Sequence, residues 1–252
     1  MPVKRESRKV GLARALSKLG YCSRSQAAKL IEAGRVQLNG ATPRNPETPV
    51  RMDKDRIEVN GRSVRAERSV YLMLNKPHGL VTTASDEKGR DTVYAHLPVG
   101  LPWVAPVGRL DQASEGLLLL TNDSEWAARI TAPETHLDKT YHVQVAGEVS
   151  PVLMEAMTAG LYTEEGNLLR AKNVGIVRQG EKNTWLVIVL DEGKNRQIRR
   201  MLESAGIEVL RLVRVAIGPL ALGELAKGWC RALTAPEKGQ LDAAIGVRGK
   251  GL

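Results

Sequence analysis

Phenylalanine is absent from the 252 residues, and four Trp and five Tyr are the only other aromatics of size. Aromatic packing is therefore thin, and the interior must be built from the plentiful Leu, Val, Ile and Ala. Cysteine occurs twice, at Cys22 and Cys230, with no second Cys or His at ligand spacing. That excludes a disulfide framework or a zinc module and predicts free thiols in a reducing cytosol. No apolar run approaches the roughly 20 residues of a membrane helix. The basic start is not followed by a signal-type apolar segment. A soluble, cytoplasmic chain with no membrane partner is the expectation.

Acidic residues are scarce in one place only. Residues 1–66 hold 15 Lys/Arg against 6 Asp/Glu, an excess of 9 that accounts for the whole net charge of +9. The remaining 22 basic and 22 acidic residues cancel. A basic first quarter joined to a neutral remainder points to a polyanion partner for the first part, and nucleic acid fits best.

Within that quarter, Leu12, Ala15, Leu16 and Leu19 recur at helical spacing and predict a helix over Val10–Leu19, stopped by Gly20. Ser23 followed by Gln26 is a capping-box pair that opens a second helix, with Ala27, Ala28, Leu30 and Ile31 inward and Gly34 at its end. Arg35–Leu38 alternates as a strand into an Asn39-Gly40 turn, and a second strand over Arg56–Val59 runs into Asn60-Gly61. Arg14, Lys18, Arg24, Lys29 and Arg35 are spread over the helical pair and its edge as candidate phosphate contacts.

The neutral part opens with a strand over Ser69–Leu74 and a turn at Asn75-Lys76-Pro77-His78-Gly79, which leaves Lys76 in a loop as a candidate RNA contact. Val107–Asp123 then places one carboxylate, Asp111, between Gly108 and the apolar run Leu117–Leu120. That run is too short for a helix and reads as an interior strand. A loop mounted on a buried strand suits a reactive group, although an Asp near Gly is more commonly a turn residue. A helix follows over Ser124–Thr131, a strand over Lys139–Val145 with Tyr141, Val143 and Val145 on one face, a helix over Pro151–Ala159, and strands at Val174–Val177 and Thr184–Leu190. Asn195 is expected to cap a helix to Ala205 with Ile198, Met201, Leu202 and Ala205 inward. Arg196, Arg199 and Arg200 share its other face and could line a phosphate-bearing cleft or pair with Asp111. Apolar strand segments continue at Val209–Val215 and Ile217–Leu222.

Residues 8–65 resemble the S-four-type RNA-binding module, in which a helical pair and the following strand present basic side chains to folded RNA. The set Asn75-Lys76-Pro77, Gly108-Arg109-Leu110-Asp111, Lys139-Thr140-Tyr141 and Glu192–Arg200 resembles pseudouridine synthases, most nearly the RsuA/RluB/RluE/RluF group of bacterial ribosomal-RNA uridine isomerases. Ser114 stands where many members have Thr. The resemblance implies that Asp111 is the catalytic aspartate, that Tyr141 stacks on the target base and that Arg199, preferred over Arg196, pairs with the aspartate. It also implies that Arg109 contacts RNA beside the carboxylate, with Arg196 as a further RNA contact. It implies cleavage of the uridine glycosidic bond and rejoining through carbon 5, with no cofactor and no metal, on ribosomal RNA or a pre-ribosomal particle.

The resulting expectation is an α+β chain with a short tail over residues 1–7, an RNA-binding domain over 8–66, a catalytic domain over 67–245 and a tail over 246–252. The catalytic domain should hold a mixed, mainly antiparallel sheet with flanking helices, and the protein should be a monomer. Three other readings remain on the sequence alone: a DNA-binding helix–turn–helix, a nonenzymatic ribosome-assembly factor, and an N-glycosidase using Asp111 with Glu115 as paired carboxylates.

Overall fold

The computed structural model describes residues 9–84, 86–163 and 165–246, so the expected tails, Gly246 apart, lie outside the described residues. Two compact units form. One holds the described residues through Tyr71 with Pro98–Ala105 and Leu120–Ser124; the other holds Leu72–Leu97, Pro106–Leu119 and the chain from Glu125 onward.

In the first unit the helices are Leu12–Lys18 and Arg24–Glu32. The second starts where the sequence predicts: Ser23 Oγ accepts from the Gln26 amide at 3.1 Å, and Gln26 Oε1 accepts from the Ser23 amide at 3.0 Å. Such a cap contributes about 1 kcal/mol. The first helix begins two residues later than the periodicity predicts, because Val10–Gly11 pair as a strand with Pro49–Val50. The inward residues Leu12, Leu16, Ala27 and Ile31 join Val36, Val50, Ile57 and Val59 in one core. At the expected Asn39-Gly40 turn both residues are left-handed, φ 52° and 83°, as a two-residue hairpin requires.

The second unit is built on a mixed sheet. Its strands run in the order Asn173–Gln179, Asn183–Leu190, Lys139–Ala146, Val209–Ile217, Glu115–Thr121, Tyr71–Lys76 and Cys230–Ala232. The pairs over the first four and the last two strands are antiparallel. Val209–Ile217 pairs with Glu115–Thr121 in parallel. The α+β architecture expected from the sequence is thus the one observed. Strand Glu115–Thr121 lies inside the sheet with every residue buried, which is why it reads as an unbroken apolar run rather than an alternation.

Helices Pro151–Ala159 and Gln197–Ser204 cover one face of this sheet. They bring Met157, Ile198, Met201 and Leu202 onto Val143, Val145, Leu186, Ile188 and Leu212, each side chain contributing about 1.5–3 kcal/mol on burial. The second of these helices departs from expectation at its start. Its N-cap is Arg196 in the left-handed region (φ 48°), not Asn195, and no side chain caps it. Gln197 closes the turn instead, donating to Glu192 Oε1 at 2.6 Å and to the Arg170 carbonyl at 2.9 Å. A terminal helix, Ala235–Ala244, is absent from the sequence expectation, although Thr234 and Glu237 form a second capping box there.

Candidate active site

The Asp111 loop is held from beneath by its own backbone. Gly108 takes φ 71°, a left-handed turn that suits glycine, and the flanking Val107 and Leu110 are buried. Thr82 Oγ1 donates to the Leu110 carbonyl at 2.7 Å, and the Ser114 amide returns to the Asp111 carbonyl at 3.0 Å. Just past the loop, Gly116 (φ 99°) has no room for a side chain, since a Cβ there would fall 2.2 Å from the Arg214 carbonyl oxygen. Glycine at 116 therefore lets the strand after the loop lie against the strand that carries Arg214.

Lys76 corrects the sequence reading. Expected in a loop and facing RNA, it ends strand Tyr71–Lys76 and is 0% exposed. Its Nζ donates to the carbonyls of Ser114 (2.7 Å), Asp111 (3.1 Å), Pro77 (3.1 Å) and Gln112 (3.4 Å). Burial pulls the Lys76 pKa down to about 8, with Glu115 and Asp111 acting the other way. The charged form persists at neutral pH because three N–H donors meet only acceptors. Lys76 is a strut under the loop, out of reach of RNA.

The carboxylate above this strut opens into a cleft of about 640 Å³ whose walls include Arg109, Tyr141, Arg196, Arg199, Lys139 and Arg214. Tyr141 lies on strand Lys139–Ala146, half-buried against the helix-covered core. Arg199 rises from helix Gln197–Ser204. The sequence reading prefers Arg199 as the partner of Asp111, yet the ion pair seen is from Arg196, with Nη1 3.9 Å from Asp111 Oδ2. The left-handed backbone at Arg196 turns it into the cleft ahead of the helix. Arg199 gives Nη2 to the Ala113 carbonyl at 2.8 Å, and burial, then Arg196, lowers its pKa. Both arginines therefore bracket the loop, one at the carboxylate and one at the backbone two residues on. Arg200, the third of the set, turns away to Glu165 and Thr163.

The other candidates lie elsewhere. Arg14, Arg24, Lys29 and Arg35 are exposed on the first unit, and Lys18 is half-buried there. Sequence reasoning missed Thr82, Lys139 and Arg214. For Lys139 a signal existed: it alternates with Tyr141 and so shares a face with an inward residue.

Glu115 bears on the paired-carboxylate reading. It is buried and held by Arg211 (Nε to Oε1 2.7 Å, Nη2 to Oε2 3.0 Å) and by Lys227. Arg211, foremost, takes its pKa to about 2 against the opposing effect of burial. A carboxylate so pinned does not hand over a proton, and it does not line the cleft. The N-glycosidase pairing is therefore set aside.

The same triad makes a pH prediction. The folded pKa of Glu115 lies below its unfolded value, so its stabilisation is present above about pH 4.5 and fades as pH falls toward about 2. A shift of that size corresponds to roughly 3 kcal/mol, reduced to about 2 kcal/mol because Arg211 and Lys227 are half-exposed and screened. Denaturant unfolding should show wild type losing about 2 kcal/mol more than Glu115→Gln between pH 5 and pH 2.5. Parallel curves for the two proteins would refute it.

Among the described residues no group of three or more His, Cys, Asp or Glu is placed to hold a metal ion, and no helix is long and apolar enough to cross a membrane. A strand-borne aromatic, a loop-borne carboxylate and converging guanidinium groups thus line one cleft. Comparison with known proteins identifies the class. The RNA pseudouridylate synthase model matches residues 70–204, and the S4 domain model matches residues 10–57. An RNA pseudouridine synthase of Aquifex aeolicus is 40% identical over 92% of this chain and 94% of its own length. The ribosomal large subunit pseudouridine synthase B of Bacillus subtilis is 37% identical over 92% and 95%. A crystal structure of a pseudouridylate synthase superposes with a TM-score of 0.65 at 30% identity, covering 92% of this chain and 99% of that one. The chain belongs to the RNA pseudouridylate synthase family and carries an S4 domain ahead of the synthase region. It is an enzyme, and the nonenzymatic reading is set aside.

Proposed function

We propose that this enzyme isomerises a uridine of ribosomal RNA to pseudouridine, with Asp111 acting on the ribose and no cofactor taking part. The observation that carries the reading is the convergence of Asp111, Tyr141 and Arg199 on one cleft from a loop, a strand and a helix. The Bacillus subtilis relative, named for the ribosomal large subunit, supports ribosomal RNA as substrate and the cytoplasm as the place of action. It makes large-subunit RNA the first place to look.

The carboxylate of Asp111 meets the sugar of a uridine withdrawn from its stack, a step costing a few kcal/mol. Stacking on Tyr141 returns about 1–3 kcal/mol of that cost. Arg196 balances the carboxylate charge, Arg199 holds the loop backbone, and Arg109, exposed beside Asp111, takes a flanking phosphate. The enzyme works as a monomer. Ribosomal RNA labelled with tritium at carbon 5 of uridine should release tritium to water and yield no free uracil by chromatography. Retained label, or free uracil, would overturn the assignment.

The first domain, residues 8–66, docks RNA through Arg14, Arg24, Lys29 and Arg35, with Lys18 at the margin. Each phosphate contact contributes to the slope of log affinity against log salt. Replacing Arg14, Arg24 and Lys29 by Ala should flatten that slope by about 2–3 and weaken binding to all RNA sequences alike. An unchanged slope would move the docking surface elsewhere.

A further inference from the structure

We propose that Arg214 is a further catalytic residue of this cleft, holding the carbonyl oxygens of the target uracil as the base leaves the sugar with the electrons of the broken bond. The inference rests on the isomerase reading above and adds a group that motif spacing does not reveal.

Its position is set by three strands. Arg214 pairs across the antiparallel ladder with Tyr141 and across the parallel ladder with Gly116. Directly opposed residues of a ladder project to the same face. The guanidinium thus rises beside the tyrosine, one strand away from the segment that follows the Asp111 loop. It is 6% exposed and lines the same cleft. Nε donates to the Leu117 carbonyl at 2.7 Å and so anchors the group. Nη2 is buried without a partner. Among the described residues the other buried donor in that condition, Arg199 Nε, belongs to a residue already assigned. A buried donor left unpaired costs about 1–3 kcal/mol, more when charged. In a cleft, such an atom marks the place of an acceptor that arrives with the substrate. Lys139, on the same face two residues before Tyr141, adds a second cation to that wall.

The chemistry identifies the acceptor. When the bond between C1′ and N1 breaks, its electron pair stays on the base, and the negative charge spreads over N1, O2 and O4. The sugar is completed by a bond from an Asp111 oxygen to C1′, or by passage of the C2′ proton to that carboxylate. On both routes the base departs as an anion. It later forms the C1′–C5 bond as the Asp111–C1′ bond breaks, or as the C2′ proton returns from the carboxylate, and then loses the C5 proton to water while N1 takes one up. Neutral uracil in the ground state draws little on a buried guanidinium, whereas the departing anion draws strongly. Arg214 therefore acts mainly in the transition state.

The test uses two RNAs in one reaction, one with uridine and one with 5-fluorouridine at the target position, and follows consumption of each target nucleoside by chromatography. Fluorine makes the departing base a weaker base, so its departure depends less on a cation. Arg214→Gln should lower single-turnover consumption of uridine by about 10²–10³-fold and that of 5-fluorouridine by at least about tenfold less. RNA affinity should change little. Because both substrates meet the same protein, their ratio does not depend on how much of the variant folds. Arg214→Lys, which keeps the charge, should recover part of the ratio. Equal loss on the two substrates, total loss included, overturns the proposal, as does an unchanged rate. Inactivity of the wild type on both RNAs would instead overturn the isomerase reading, and this inference with it.

Discussion

Asp111→Asn is expected to lose pseudouridine formation by on the order of 10⁴-fold or more, the scale on which removing a reacting group acts, while melting within a degree or two of wild type. The two halves of this expectation have separate causes. The backbone at residue 111 is held by Lys76 and by the Ser114 amide, and neither contact uses the side chain. The carboxylate itself is 37% exposed and makes one ion pair, to Arg196 at 3.9 Å. An exposed pair of that kind contributes about 0–1 kcal/mol. Asn keeps the shape and loses the charge, so chemistry fails while the fold stays. Single-turnover tritium release and a melting curve on one preparation check both. Substantial release from the variant would remove Asp111 from the mechanism.

Lys76→Met is expected to fail in the opposite way, through structure first. Removing the ammonium takes a donor from four carbonyls held at 2.7–3.4 Å. Those of Asp111 and Gln112 keep the Ser114 and Gly79 amides, while those of Ser114 and Pro77 lose a charged donor at about 2–3 kcal/mol each. Against this, the variant avoids burying a charge, a gain of roughly 3 kcal/mol read from the fall of the Lys76 pKa to about 8. The net is a loss of about 1–3 kcal/mol, or a melting temperature lower by roughly 5 °C. Activity at a temperature where the variant stays folded should also fall by about 10²-fold, since a displacement of about 1 Å at the reacting group has that effect. KM for RNA should move little, because Lys76 does not face the substrate. A variant with native melting and native rate would show that the loop stands without its strut.

These residues also show where a sequence can be read and where it cannot. Leu117–Leu120 announces an interior strand because a run buried on both faces needs no polar alternation. Ser23 and Gln26 announce a helix because capping is local, decided within four residues. Asp111, Tyr141 and Arg199 were legible as a set through resemblance, since their order along the chain carries it. Lys76 was not, because a lysine between Asn and Pro in a turn-rich stretch has every mark of a surface residue; only the meeting of two distant loops creates the cage that buries it. Arg214 hides for a related reason. Its strand reads as apolar, and a charge in such a strand is normally assigned to the wet face. The partner of Asp111 turns on one backbone angle at Arg196, which helical periodicity, starting one residue later, does not describe. The closing helix is a different case: Thr234-Ala235-Pro236-Glu237 carries a start signal, but the apolar pattern behind it is too weak to mark a helix.

The central claim is that the carboxylate at position 111 remodels a uridine of ribosomal RNA. Its most direct test is a pseudouridine map of ribosomal RNA from cells lacking this protein, then supplied with wild type or with Asp111→Asn. A specific pseudouridine should vanish in the deletion, return with wild type and stay absent with the variant. An unaltered map in the deletion, or full restoration by Asp111→Asn, would contradict the account.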